Sequence, residues 1–277
     1  MSFKTILVQC DHGTATSRRL VVATELAGRF DARLVGVHAT PPLEVPLFAE
    51  DGVSIAPLYE AHEEGAAANK AASRALFDQA VKGKHLSIEW RPIGGRVDDV
   101  LTVCGRYADL LVVGQSQADD ATQPGGIPEA VALASGRPVL VVPFIGVERP
   151  VGQVVMLCWN ASRESARAAT DALPILKAAQ TVIVLVVEPT VTPEGHGEEP
   201  GADVSTWLAR HGVKVTVQRD VAPDGDVGSI ILSRAADHDV DLIVMGLYGH
   251  SRLREMVLGG VSRTMLSAMT VPVLMAH

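Results

Sequence analysis

The feature that most constrains the fold is a segment that occurs twice, once in each half of the chain. Each copy contains an Asp, an apolar run ending in a glycine, a Gly-Gly pair and a second apolar run: Asp109, Gly114, Gly125-Gly126 and 139–142 in the first half, and Asp241, Gly246, Gly259-Gly260 and 271–275 in the second. From the Gly-Gly pairs onward the two copies align without a gap. A long internal repeat indicates two similar structural units in tandem.

The repeat divides the 277 residues into two predicted domains, 1–146 and 151–277, with a short linker of turn residues between them. In each half, short apolar runs alternate with segments of helical periodicity. Hydrophobic residues make up 47% of the chain and aromatic residues only 4%, so the core must be built from Val, Leu, Ile and Ala. This composition suits parallel strands buried on both faces. The predicted fold is therefore α/β, with two tandem doubly wound, Rossmann-like parallel sheets.

Two local predictions concern the second half. A helix is expected from Ser162 to Lys177, interrupted only by Pro174, with Ser162 as its N-cap. Arg167 could reach either a phosphate or a neighbouring carboxylate, and the ion pair is the favoured interpretation. The last helix is expected to begin at about Ser262, where the serine either caps it or offers its hydroxyl to a phosphate.

Composition and charge exclude several classes of function. The net charge is −8 and no Lys/Arg cluster is present, which argues against a nucleic-acid-binding surface. No apolar run is long enough to cross a bilayer, and the N-terminus enters a strand pattern without a signal peptide, so no membrane association is expected. Three cysteines without ligand spacing indicate reduced thiols in a cytoplasmic protein, and no metal site is predicted.

The late glycine loop is the candidate binding site. Gly246 and Gly249 follow a buried strand, where a backbone without side chains lets a ribose or phosphate approach closely. Gly259 and Gly260 precede the last helix, whose unpaired N–H groups favour an anion, and Ser262 adds a hydroxyl. The alternative is that these glycines serve turn geometry and packing alone.

This arrangement resembles the universal stress protein family over nearly the whole chain, as two copies. Gly246, Gly249 and Gly259 match the family's glycine spacing, whereas Gly260 stands where ATP-binding members carry Ser or Thr. The family's first turn usually holds an Asp that faces the adenine or ribose, and Asn160 takes its place in the second half. The resemblance implies an adenine nucleotide of the ATP class in the second half, with Mg²⁺ if it is a triphosphate.

By the same resemblance, Val187 at the end of the second strand of that half would lie near the adenine, as would Ala39 in the first half. The first half keeps the Asp, as Asp11, but Gln117 replaces its second loop glycine and Asp119-Asp120 would repel a phosphate. It is therefore interpreted as mainly structural. A Mg²⁺ role for the two acids, or a different ligand behind Asp11, remains as an alternative.

The terminal apolar runs, 139–142 and 273–275, would be edge strands of their sheets, and exposed apolar edges favour pairing. Related stress proteins dimerise through this strand. We therefore predict an intrachain pseudo-dimer, half against half, and further self-association into a homodimer stays open.

Three hypotheses of function follow. The first is a ligand-sensing stress-response module that binds a nucleotide, its small-molecule partner, through Asn160, Val187, the four loop glycines and Ser262, with no catalytic residue. The second is a slow ATPase or self-phosphorylating enzyme, for which His250 in the loop is the one candidate base. The third is a scaffold that binds no nucleotide and acts through protein contacts.

Overall fold

The computed structural model describes residues 2–43, 56–116, 126–188, 198–248 and 260–277. The first half contains β1 (Thr5–Gln9), α1 (Ala15–Phe30), β2 (Arg33–Thr40), α2 (Ala56–Val81), β3 (Ile88–Gly94), α3 (Val97–Gly105), β4 (Leu110–Gly114), α4 (Ile127–Ser135) and β5 (Val139–Val142). The second half contains β6 (Val154–Cys158), α5 (Arg163–Asp171), α6 (Leu173–Ala178), β7 (Thr181–Val187), α7 (Ala202–Arg210), β8 (Val215–Asp220), α8 (Val227–Asp237), β9 (Leu242–Gly246), α9 (Gly260–Ala268) and β10 (Val273–Ala276).

The ten strands of the described ranges form one sheet in the order β3-β2-β1-β4-β5-β10-β9-β6-β7-β8. Within each half every strand pair is parallel. The halves meet where β5 and β10 pair antiparallel, with Leu140 opposite Leu274 and Val141 opposite Val273. The α/β fold and the intrachain pseudo-dimer through the two terminal apolar strands are thus confirmed.

The helices cover both faces of the sheet because almost every side chain of the central strands is apolar. Alternate residues of a strand enter opposite layers. Ile6 and Val8 join a core with residues of α1, α2, α5, α6 and α7. Leu7 joins a second core with residues of α3, α4, α8 and α9. Each face of the ten-stranded sheet therefore carries one core that runs through both halves.

The repeated aspartates have a structural role. Asp109, just before β4, accepts hydrogen bonds from the backbone N–H groups of Lys4 (2.7 Å) and Thr5 (2.9 Å). Asp241, just before β9, accepts from Gly152 (2.5 Å) and Val154 (2.9 Å) in the same way. In both halves the carboxylate satisfies donors at the start of the neighbouring strand and so fixes its register.

The predicted helix from Ser162 to Lys177 is found as α5 and α6, interrupted next to Pro174 as expected, because Pro174 has no N–H and stands in the first turn of α6. Helix α9 is described from Gly260 onward, close to the predicted start at about Ser262. No helix in the described ranges has both the length and the hydrophobicity needed to span a bilayer.

Candidate functional site

The predicted site residues of the second half lie at the carboxyl edge of its strands. Strands β6 and β9 are neighbours, with Leu157 opposite Val244. The chain continues from β6 to β7 on one side and from β9 to β10 on the other, so the strand order reverses between them. In open α/β sheets, ligands bind beyond the carboxyl ends of strands at such a point. Asn160, Val187 and Gly246 follow or end β6, β7 and β9 respectively.

Asn160 is exposed, and it shapes the turn after β6. Its Oδ1 accepts a hydrogen bond from the backbone N–H of Ser162 (3.2 Å), which makes an Asx turn. Ala161 between them has a φ of 58°. Ser162 in turn accepts from the N–H of Ser165 (3.1 Å), so the predicted N-cap of α5 is confirmed. The turn is thus held by its own hydrogen bonds before any ligand is bound.

The contacts of Arg167 in α5 decide between its two possible roles. Arg167 pairs with Asp171 at 2.7 Å, which confirms the predicted structural ion pair. Burial raises the pKa of the Asp171 carboxyl, and Arg167 opposes this rise. Arg167 also donates to the carbonyl oxygen of Gly136 in the first half (3.3 Å). It therefore belongs to the contact between the halves.

Gly246 has a packing role that spacing alone did not reveal. A Cβ added there would lie 2.7 Å from the backbone C of Glu164 and 2.7 Å from the backbone N of Ser165. Real Cβ atoms do not approach backbone atoms so closely, so only glycine fits. The residue lets the end of β9 contact the first turn of α5 directly.

Gly260 and Ser262 lie in the first turn of α9. A Cβ at Gly260 would meet no atom of the described residues within 4 Å. Ser262 is buried, with 7% of its surface exposed, and it lies within the helix, so it is not the N-cap. No hydrogen bond of its hydroxyl occurs among the described residues. Gly249, Gly259 and His250 lie outside the described residues, as do Gln117, Asp119 and Asp120.

Val187 is half-buried at the end of β7, where it packs on the core that contains α8 and α9. Ala39 holds the equivalent place at the end of β2. The two residues that the resemblance places near an adenine are therefore apolar surfaces at the strand ends. Both are accessible enough to contact a ligand.

The first-half turn is organised differently from the second. Asp11 Oδ2 accepts from Arg19 at 2.5 Å, and Oδ1 accepts from Thr16 Oγ1 (2.5 Å) and from the N–H of Gly13 (2.8 Å). Arg19 is 1% exposed and also donates to the carbonyl oxygen of Gln9 (2.7 Å). Burial opposes ionisation of Asp11, but Arg19 and the hydrogen bonds outweigh it and lower its pKa. Asp11 is thus an ion-pair partner within the fold.

Next to Asp11, where the sequence left open a different ligand, is a cavity of about 450 Å³. It lies at the ends of β1 and β2, against α2 and α3, and His38 is one of its walls. The signal was a histidine inside an apolar strand, together with small residues on one stretch of α2, such as Gly65 and Ala66. Neither the histidine nor the small residues of α2 can be assigned to a cavity until the position of α2 on the sheet is known.

The described residues contain no group of three or more His, Cys, Asp or Glu side chains placed to hold a metal ion. All three cysteines are unpaired thiols. Burial raises the pKa of Cys10 to about 12, and that of Cys158 likewise to about 12. Thiolate chemistry at these two residues is therefore disfavoured at neutral pH.

Comparison with known proteins identifies the family. A model of the universal stress protein family matches residues 2–143 and 153–277. No curated protein matches the chain in sequence.

Solved structures show the same fold over the full length. A universal stress protein from Archaeoglobus fulgidus DSM 4304 superposes with a TM-score of 0.69 at 15% identity, over 98% of this chain and 95% of that one. A putative universal stress protein from Pseudomonas aeruginosa UCBPP-PA14 gives 0.60 at 15% identity, over 99% and 93%. A universal stress protein in complex with cAMP is 26% identical over 52% of this chain and 99% of that one. Its TM-score of 0.37 is too low to transfer the ligand.

Proposed function

Because this chain belongs to the universal stress protein family, we propose that it is a cytoplasmic ligand-sensing module whose second half binds an adenine nucleotide. Three unpaired cysteines are in keeping with a reducing compartment. In this proposal the chain recognises a nucleotide and catalyses no rapid reaction.

The observation that carries the proposal is the reversal of strand order between β6 and β9. Asn160 and Gly246 stand at the ends of these two adjacent strands. Helix α9 follows the glycine loop in the chain, and its first turn holds Ser262, a buried residue for whose hydroxyl the described residues supply no partner. A helix N-terminus with a hydroxyl is suited to a phosphate.

Each residue then has a role in the proposal. Asn160 and Val187 contact the nucleoside, because an amide hydrogen-bonds base edges and hydroxyls and Val187 offers an apolar surface. Gly249, Gly259 and Gly260 supply backbone N–H groups to the phosphates, and Ser262 supplies a hydroxyl. Gly246 acts indirectly, by allowing β9 to approach α5. Mg²⁺ would accompany a triphosphate.

The first test is the nucleotide content of the purified full-length protein, measured by mass spectrometry after heat denaturation and followed by calorimetric titration with ATP, with and without Mg²⁺. About one nucleotide per chain supports the proposal. Gly249→Val should abolish binding, because a side chain would block the approach of the phosphates. If neither bound nucleotide nor binding at millimolar ATP is found, the proposal is wrong and a scaffold role is favoured.

A gain-of-function variant sharpens the test. Gly260→Ser restores the hydroxyl that ATP-binding family members carry, and it meets no clash with the described residues. A hydroxyl donating to a charged phosphate should tighten ATP binding by about tenfold. Gly260→Ala is the matched control, because it changes the backbone in the same way without the hydroxyl. Equal affinities of the Ser and Ala variants would contradict phosphate contact at this position.

A further inference from the structure

The sheet ends in two strands that are equivalent in the repeat. Strands β3 and β8 are the outermost strands of the described ranges, and each pairs with a neighbour on one side only. The other side of such a strand presents backbone N–H and C=O groups to any strand that can align with it. The chain already uses a contact of this kind internally, because its halves meet where β5 and β10 pair antiparallel.

The outer edge of β3 is blocked by a proline. The N–H of Leu34 in β2 donates to the carbonyl oxygen of Ser87 (2.8 Å), and the N–H of Gly95 donates to that of Thr40 (2.9 Å). Backbone groups of successive residues point to opposite sides of a strand, so the odd-numbered residues between 87 and 95 face β2 and the even-numbered ones face outward. Pro92 is one of the outward residues, and it has no N–H to offer.

The outer edge of β8 keeps its donors. The N–H of Glu188, just after β7, donates to the carbonyl oxygen of Asp220 (3.0 Å), so Asp220 faces β7. By the same alternation, the backbone groups of Val215, Val217 and Arg219 face outward. These three residues offer an N–H and a C=O each along the edge of the sheet.

The contrast between the two edges falls on a single position of the repeat. Pro92 pairs with His38 on β2, and Arg219 pairs with Val186 on β7. His38 and Val186 each precede the last-strand positions that are equivalent in the two halves, so Pro92 and Arg219 are equivalent as well. Where the first half has no donor, the second half has one. One end of the sheet is therefore closed to pairing and the other is open.

Contacts within the second half hold β8 in place. Asp220 pairs with Arg234 on α8, and Oε1 of Gln218 lies 2.6 Å from Nε2 of His238. On the opposite face of the sheet, Val217 packs against the hydrophobic core. The strand is thus ordered before any partner arrives, which lowers the entropic cost of adding another strand to it.

The charges along β8 fit a second copy of the same strand. Lys214, just before β8, is exposed and has no ion pair within the described ranges. If two copies pair antiparallel about a twofold axis at Val217, Lys214 lies opposite Asp220 of the other copy, and Val215 lies opposite Arg219. Opposite charges in facing positions stabilise a pair of strands. An axis at Arg219 would instead place two arginines face to face.

We propose that β8 is the contact surface of a homodimer, in which two copies of this chain pair edge to edge and join their ten-stranded sheets into one. Both copies use the same surface, so the contact is complete with two chains. Pro92 at the other end of each sheet disfavours the addition of further copies. The proposal does not depend on nucleotide binding by the second half.

The decisive experiment is sedimentation velocity of the full-length protein over a concentration series. A contact through one short strand is small, so wild type should form dimers with a dissociation constant on the order of 10 µM. Arg219→Pro copies the first half and removes one N–H donor from each copy, which should weaken the dimer at least about tenfold. Arg219→Ala is the matched control, because it removes the same side chain but keeps the donor. Monomeric wild type at millimolar concentration, or equal dimerisation of the two variants, would overturn the proposal.

A charge variant guards against misfolding of Arg219→Pro. Lys214→Glu places two acids opposite each other at both ends of the contact and should weaken the dimer about tenfold. Lys177→Glu, at an exposed position of α6, makes the same change in net charge away from this edge and should dimerise as wild type does. If Lys214→Glu dimerised as tightly as Lys177→Glu, the proposed register would be wrong.

Amide hydrogen exchange, followed residue by residue by NMR, locates the contact. Raising the concentration of wild type through the dimerisation range should slow exchange at Val217 and Arg219. The outward N–H of Trp90 on β3 is the internal control and should exchange at an unchanged rate. Slowing at Trp90 without slowing at Val217 would place the contact on the other edge, against the proposal. Gly249→Val should dimerise normally even where it abolishes ATP binding, so this test and that of the nucleotide site can fail separately.

Discussion

The turns after β1 and β6 occupy equivalent places in the two halves but use their polar residues differently. In the first, Asp11 is locked to the buried Arg19. In the second, Asn160 replaces the acid, and the alignment that pairs Asp11 with Asn160 places Ala168, which is fully buried, opposite Arg19. An acid–base pair in one half is therefore an uncharged pair in the other.

This difference shows that the acid and the arginine form one unit. An arginine buried without a partner would be costly, as would a buried lone carboxylate, so the two must be present or absent together. The first half uses the pair for its own stability. The second half has no such constraint, and its Asn160 stays at the surface, where the strand ends meet.

The largest expected effect comes from breaking the pair. Asp11→Asn leaves the guanidinium of Arg19 buried without a counter-charge, which should lower the free energy of unfolding by about 3 kcal/mol. Thermal and urea unfolding followed by circular dichroism measure this change. The double variant Asp11→Asn/Arg19→Met imitates the uncharged pair of the second half and should recover most of the loss. No recovery would mean that Asp11 acts through Thr16 and Gly13 instead.

The same pair predicts a dependence on pH. The pKa of Asp11 is lowered in the folded state, so its ionised form stabilises the fold above the unfolded pKa of about 3.9. This contribution is lost as the pH falls through the folded pKa. The difference in stability between wild type and Asp11→Asn should therefore be constant near neutral pH and shrink below about pH 4. A constant difference down to pH 2 would contradict the assignment.

The next effect separates two glycines of the predicted loop motif. Gly246→Ala places a Cβ against the backbone of α5 and should cost about 2 kcal/mol, as overpacking does. The Cβ of Gly260→Ala meets no atom of the described residues, so this variant should change stability by less than about 0.5 kcal/mol, in the stabilising direction. Melting temperatures of the two variants provide the comparison. If both variants lowered the melting temperature equally, local packing would not explain the loss of stability.

Much of the fold follows from the sequence because it depends on periodic and repeated features. The repeat predicted two halves, and the apolar runs at 139–142 and 273–275 predicted that the halves pair with each other, as β5 and β10 do. The cap at Ser162 and the Arg167–Asp171 pair also followed, because their partners lie within one helical turn. A single sequence therefore predicts two kinds of structure well: contacts within one helical turn, and the division of the chain by a long repeat.

Contacts between distant segments were not predictable in this way. The hydrogen bond of His38 to Cys10 joins residues 28 positions apart. The cavity depends on where α2 lies relative to the ends of β1 and β2. The contact of Gly246 with α5 joins residues that the motif does not relate. These contacts depend on how helices pack on the sheet, and the spacing of residues along the chain does not predict that packing.

Gln115 tests how the halves are joined. It follows β4 as Leu247 follows β9, but its buried side chain donates to the carbonyl oxygen of Leu266 (2.8 Å) and accepts from the N–H of Phe144 (3.1 Å). Gln115→Leu copies the second half and leaves that N–H group without this acceptor, which should cost about 2 kcal/mol. Unfolding curves measure the loss. Gln115→Glu keeps the acceptor but not the donor and should show whether the contact with α9 matters separately.

The smallest expected effect on the fold is that of Asn160→Asp, which gives the second half the acid of the first. A carboxylate can accept the N–H of Ser162 as the amide does, and the residue is exposed, so stability should change by less than about 0.5 kcal/mol. Asp11→Asn should cost much more than Asn160→Asp, because Asp11 is paired with a buried arginine whereas the equivalent position in the second half is the apolar Ala168. If nucleotide binds here, a carboxylate that accepts from ribose hydroxyls should tighten ATP binding about fivefold, a difference of ~1 kcal/mol measurable by calorimetry. A loss of stability as large as that of Asp11→Asn would contradict this view, because it would mean that a negative charge at position 160 is unfavourable although the residue is exposed.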